Sequence, residues 1–151
     1  MQNKRGQFYL IASIILLAII IGIAGVSNYI EKKESIKINY VKDELESESE
    51  EVLEYKITNG DDVVEDFLDK YTSYAEEEGR EFYFAFGEQG SIEGYKYSED
   101  GREDLDIEVA EEKIKVSVHE ELYEFDLNIG YNFYFVIFQE LGGEKYVATN
   151  E

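Results

Sequence analysis

His119 is the single histidine of the chain and stands directly before Glu120 and Glu121. An imidazole beside a carboxylate moves protons when the pair is oriented and a reacting group lies within hydrogen-bond reach. No nucleophile partner is identifiable for it: the sequence has no Cys, and no Ser-His-Asp constellation assembles around this one imidazole. The expected place of His119, on the wet face beside a hairpin turn, predicts an ordinary surface histidine. The run EDGREDLDIE, Glu99–Glu108, offers a different chemistry, because hard cations want several loop oxygens. It lacks the Asp-x-Asp-x-Asp-Gly order of an EF-hand loop and predicts an acidic turn ahead of a strand. Carboxylate pairs suited to glycoside hydrolysis recur throughout, since 35 residues are Asp or Glu, and for that reason no pair stands out. The glycines punctuate strand-like segments instead of leading into helices, so no phosphate loop is present. Phe133, Tyr134, Phe135 and Phe138 fall at strand spacing in a run that reads as core, not as a platform for sugars or peptides. The sequence therefore predicts no enzyme, no cofactor and no metal site.

Composition narrows the field further. With 14 Lys and Arg against 35 acids, the net charge is −21, and the acids extend from Glu31 to Glu151. Such a surface repels phosphate backbones, which argues against nucleic-acid partners and reads as a solubilising exterior. Without Cys there are no disulfides, zinc–thiolate sites or thiol catalysis. Hydrophobic residues make up 44% and aromatics 15%, enough for one packed domain. Asn-x-Ser/Thr glycosylation sites are absent.

What must position any surface function is the opening segment. From Gln7 to Tyr29 there is no charged side chain, and Leu10–Val26 is almost wholly apolar. A bilayer core takes about 20 apolar residues in a helix, and a helix satisfies its own backbone hydrogen bonds in lipid. The segment is apolar on every side, so a buried helix of so short a chain is the poorer account. Lys4 and Arg5 precede it, while Lys32, Lys33 and Lys37 follow, offset by Glu31 and Glu34. That balance leaves the positive-inside count nearly even. The short leading segment and the large acidic part behind it favour an N-terminus inside and a C-terminus outside. A conventional secretory signal, cut near Ala24 or Gly25, is the rival reading, but the apolar run is long for one.

The sequence Lys4-Arg5-Gly6-Gln7, followed by an uninterrupted apolar helix, resembles the class III signal of archaeal type IV pilin-like proteins. The resemblance implies a cut between Gly6 and Gln7 by a prepilin-type peptidase on the cytoplasmic side, leaving the helix in place. Bacterial pilins carry Glu at the fifth mature position, where this chain has Ile11; the departure bears on assembly and not on the cut. The later run YNFYFVIFQELGGEKYVATN is similar to the C-terminal ends of uncharacterised single-pass archaeal membrane proteins and brings no activity with it. Residues 1–6 are then a leader, 7–30 a transmembrane helix, and 31–151 an extracellular acidic domain.

That domain should begin with a helix over Asn39–Ile57, whose apolar stripe is Val41, Leu45, Val52 and Tyr55, stopped at Asn59-Gly60. A second helix should follow, capped by Asp61 or Asp62 and ended by Gly79. Val63, Val64, Phe67, Leu68, Tyr71, Tyr74 and Ala75 would form its inner side. From Glu81 the period changes to two. Strands with one wet face are predicted around Phe82–Phe86, Ile92–Tyr97 and Leu105–Val109. A hairpin over Lys113–Ile129 would pair Val118 with Tyr123, Val116 with Phe125, Ile114 with Leu127 and Lys115 with Asp126. A second hairpin around Gly142-Gly143 would set Glu140 against Lys145 and Phe138 against Val147. The fold class is α+β: a transmembrane helix, two further helices, then an antiparallel sheet of about seven strands.

The expected function is a single-pass, membrane-anchored cell-surface protein with a structural or interaction role. Its partners would be the lipid bilayer, the processing peptidase and, through Ala12, Ser13, Ala18, Gly22, Ala24 and Gly25, copies of its own helix. The alternative is an anchored binding module for a cation, peptide or glycan.

Overall fold

A computed structural model describes residues 4–60, 63–77 and 79–150. The chain divides into two units, Met1–Ile36 and Lys37–Glu151. Helix α1 is assigned over Lys4–Asn59, so the expected anchor and the helix expected over Asn39–Ile57 belong to one helical element. In the first unit, Tyr9–Tyr29 is exposed at every position.

The second unit has three layers, and the apolar spacing of α1 sets the first of them. Ile38, Val41, Leu45 and Ser49 recur three or four residues apart and are buried, with Val52 and Leu53 continuing the stripe. The buried Ser49 hydroxyl is satisfied by donating to the Glu46 carbonyl, 2.9 Å away. Tyr55, expected in the stripe, is half exposed instead. The helix ends as expected at Asn59, where the Gly60 amide donates back to the Lys56 carbonyl at 2.8 Å.

Helix α2, Val64–Tyr74, starts after Val63, which offers no side-chain cap. The expected caps, Asp61 and Asp62, lie outside the described residues. Val64, Leu68, Tyr71 and Thr72 face inward, and Tyr74, read as inner, is exposed at 76%. The helix also stops before Gly79: Ala75 closes it, and Gly79 belongs to the turn that enters the first strand. The Tyr71 hydroxyl donates to the Val41 carbonyl at 3.0 Å, tying α2 to α1.

Among the described residues eight antiparallel strands form two sheets, where one sheet of about seven was expected, and with the helices they make the expected α+β fold. The first sheet has the order β3 (Gly101–Asp104), β2 (Ser91–Ser98), β1 (Arg80–Glu88), β7 (Tyr131–Leu141), β8 (Glu144–Thr149). The second, β4 (Glu108–Ala110), β5 (Lys113–Val118) and β6 (Glu121–Asp126), is a small sheet on its own. Phe82, Phe84, Phe86, Phe133, Phe135 and Ile137 pack with the helices on one face. Tyr83, Ala85, Val136 and Phe138 pack with Ile114, Val116, Val118 and Phe125 of the small sheet on the other. This overturns the expectation of a wet face on β1, which is buried from Phe82 to Gly87. A central strand covered on both sides needs no polar alternation.

Two further readings are corrected by the same packing. Leu105–Ile107 is not strand but the crossover between the sheets, and the acidic Gly101–Asp104, expected as a turn, is edge strand β3. Leu105 hydrogen-bonds the Gly94 carbonyl at 2.9 Å, and a Cβ on Gly94 would drive into the Ile107 side chain, so the crossover runs where only glycine leaves room. The β5–β6 hairpin turns at His119-Glu120, setting Val118 opposite Glu121, Val116 opposite Tyr123, Ile114 opposite Phe125 and Lys115 opposite Glu124. The register differs by one two-residue step from that expected, which leaves every side chain on its predicted face. The β7–β8 hairpin has the expected pairs, Glu140 with Lys145 and Phe138 with Val147. Its turn glycines have φ of 61° and 87°, as a type I′ turn requires.

β7 outruns β8, and Asn150 completes the edge. Its side-chain oxygen accepts from the Phe135 amide at 2.7 Å while its nitrogen donates to the Phe133 carbonyl at 3.0 Å.

Candidate functional site

The largest chemical feature of the chain is a surface, not a pocket. Tyr9–Tyr29 is a 21-residue helical segment, none of it buried, and it is long and apolar enough to cross a membrane. Its isoleucines and leucines, from Leu10 to Ile23, are each more than half exposed. Burial of such side chains contributes about 1.5–3 kcal/mol each, so the segment calls for an apolar environment. Gly6 and Gln7, expected to flank a processing cut, have helical backbone within α1. Met1–Asn3 of the expected leader lie outside the described residues.

His119 is oriented, but not by its sequence neighbours. It occupies the first turn position between β5 and β6 with φ of 53°, a conformation uncommon without glycine. Its Nε2 lies 2.9 Å from Oε2 of Glu81 on β1, and its ring centroid lies 4.2 Å from that of Phe138 on β7, the two planes tilted by 44°. Glu81 also accepts from the Tyr83 hydroxyl at 2.6 Å and pairs with Lys96 of β2 at 2.9 Å. Burial pushes the Glu81 carboxyl up; hydrogen bonds from Tyr83 and Lys96, with the charges of Lys96 and His119, outweigh it and hold the group below the usual carboxylate range. Burial, then the bond to Glu81, pushes the Tyr83 hydroxyl up. The constellation is a carboxylate saturated by donors, which suits a structural tie between the two sheets. The sequence pointed to Glu120 and Glu121 because they adjoin His119; Glu81 is brought to it by the packing of one sheet on the other.

A cleft of about 290 Å³ opens between α2 and strands β1 to β3. Its cations are engaged within the fold. Arg102 pairs with Glu65 at 3.1 Å and Asp69 at 3.4 Å and lies over the Tyr95 ring. The buried Arg80 guanidinium donates to the Ala75 carbonyl at 2.7 Å, to Glu77 at 2.5 Å and to Gln139 at 3.1 Å. Its buried Nε has no hydrogen-bond partner among the described residues. Tyr97, on the cleft wall, donates to Asp69 at 2.7 Å; burial and that bond push its hydroxyl up.

The acidic run Glu99–Glu108 does not gather its carboxylates. β3 sends successive side chains to opposite faces, and Glu99 instead accepts from the Gly79 amide at 3.1 Å. Among the described residues no three His, Asp or Glu side chains converge as metal ligands. The aromatic run of β7 is core: Phe133, Phe135 and Phe138 are buried.

Comparison with protein-family models, with curated proteins and with solved structures finds no match to this chain.

Proposed function

We propose that the chain is a single-pass, membrane-anchored cell-surface protein of a pilin-like kind, with a structural or interaction role. One observation carries this reading: a 21-residue helical segment whose side chains are apolar and exposed all round. Lipid meets both of its needs, since the helix satisfies its own peptide groups and its side chains find an apolar solvent. In this reading a prepilin-type peptidase cuts between Gly6 and Gln7 on the cytoplasmic side. The helix stays in the bilayer, and residues 31–151 stand outside the cell. Their acidity keeps the domain soluble and away from nucleic acid. Ala12, Ser13, Ala18, Gly22, Ala24 and Gly25 supply the small side chains that let two such helices approach closely.

N-terminal sequencing of the protein extracted from membranes tests the processing. The expected first residue is Gln7; a chain beginning at Met1, or one beginning after Val26, overturns it. Protease added to intact cells should remove the domain beyond Ile30, and its protection there would reverse the orientation.

A further inference from the structure

The apolar segment is bracketed by tyrosines. Tyr9 and Tyr29 are each 70% exposed. Twenty helical steps separate them, about 30 Å along the axis, and about 30 Å is the thickness of the hydrocarbon core. Tyr favours the boundary between hydrocarbon and headgroups, where its ring is in lipid and its hydroxyl in water. The two rings therefore fix the depth of the span, one at each boundary.

That register decides what the next residues meet. Lys32 and Lys33, both exposed, come three and four positions after Tyr29 and so share its side of the helix. They lie about 4.5–6 Å farther along the axis. Each headgroup layer is about 5–7 Å thick, so both ammonium groups fall at the level of the lipid phosphates. The following lysine, Lys37, has another partner, since it forms an ion pair with Glu77. Glu31 and Glu34 adjoin Lys32 and Lys33 in sequence, but at two and five positions after Tyr29 they are off its side by helical spacing. Beyond Lys37 the sequence turns acidic again from Asp43 onward, which an anionic bilayer repels.

We propose that Lys32 and Lys33 form a binding site for anionic lipid headgroups in the leaflet on the C-terminal side of the span. The site rests on the membrane-spanning reading above and adds to it a depth and a lipid class. Lysine near a bilayer surface binds anionic lipid through point charge, and the neighbouring tyrosine holds the pair at the level of that charge. The two lysines attract the same lipids that the acidic domain repels.

The absence of Cys from the chain gives a clean test. Leu10→Cys, Ile19→Cys and Asn28→Cys variants of the full chain are labelled with one fluorophore each. They are placed in vesicles of phosphatidylcholine mixed with phosphatidylglycerol, and depth is read by quenching from nitroxides on the lipid chains. The label at position 19 should be deepest, with those at 10 and 28 shallow. With the label at 28, headgroup-nitroxide phosphatidylglycerol should quench more strongly than the same label on phosphatidylcholine. That preference should fall about fivefold at low salt for each of Lys32→Gln and Lys33→Gln, and Lys32→Arg with Lys33→Arg should retain it. A preference unchanged in the Gln variants, with position 19 still deepest, overturns the headgroup site and leaves the span standing. Three labels at equal, shallow depth overturn the span itself.

Discussion

Glu81 concentrates more polar contacts than any other carboxylate described above, and its behaviour with pH is predictable in sign. Its carboxyl is held below the usual value of about 4.5 in the folded chain. Its contribution to stability is therefore present above that value and lost as pH falls through the folded one. Glu81→Gln should cost about 1–3 kcal/mol near neutrality, because three donors lose their charged acceptor. Urea melts of the full chain in mild detergent should show the variant's deficit shrinking in acid; a deficit independent of pH would refute the assignment. A packing prediction belongs at the same scale. Leu45 is fully buried between α1 and the first sheet, and Leu45→Ala should cost about 2–5 kcal/mol in the same assay. Tyr55 on the same helix is half exposed, so Tyr55→Ala should be nearly silent by comparison. The Leu45 site was legible from its spacing. The partnership of His119 with Glu81 was not, since residues far apart in sequence meet only once one sheet packs on the other.

Among the elements, the hairpins show what a sequence can and cannot specify. Gly142-Gly143 admits one tight turn, and the β7–β8 pairing follows from it residue by residue. In β5–β6 the alternation of lysines against acids reads equally well in registers one two-residue step apart. Lys113 against Asp126 and Lys115 against Glu124 is as favourable as the pairing first expected. Neither turn nor charge decides between them, and both put the same apolar residues in the core. β1 was misread for a different reason: between Phe82 and Gly87 there is no charged residue, a sign of two covered faces that alternation alone overlooks. The β4–β5 turn carries an avoidable cost. Glu111 and Glu112 have φ of 52° and 69°, where Asn-Gly is strongly preferred. Replacing the pair by Glu111→Asn and Glu112→Gly should stabilise the chain by about 1 kcal/mol. A thermal melt at or below the original midpoint would contradict this account of the turn.

For the whole molecule the governing quantity is charge. The chain's net −21, with every acid at or beyond Glu31, repels itself within one small domain, and the few ion pairs do not offset it. Screening shortens from about 10 Å at 0.1 M salt to about 3 Å at 1 M, so the melting temperature should rise between low and high sodium chloride. A fall would mean that the ion pairs of Lys37, Lys96 and Arg102 outweigh the repulsion. The membrane-spanning reading makes a second prediction at this scale. Alkaline washing should leave the full chain in the membrane pellet, while a chain lacking residues 7–30 should appear in the supernatant. Retention of the truncated chain would place the anchorage elsewhere. The anchor segment was legible in the sequence because lipid imposes length and composition together, and the burial of β7 was legible because its YNFYFVIFQ run is apolar on both faces; that a second sheet covers the face away from the helices was not, because no local pattern says what lies there.

The carboxamide of Asn150 does the work of one more peptide link on β7, receiving from Phe135 and giving to Phe133. Hydrolysis of that amide would exchange its donor for a second oxygen, and that oxygen would then confront the Phe133 carbonyl. One lost ammonia would unfasten the rim of the sheet and bare a run of unpaired backbone suited to recruiting another strand. The durability of this domain against ageing and clumping thus hangs on a single side chain that closes the edge of its longest strand.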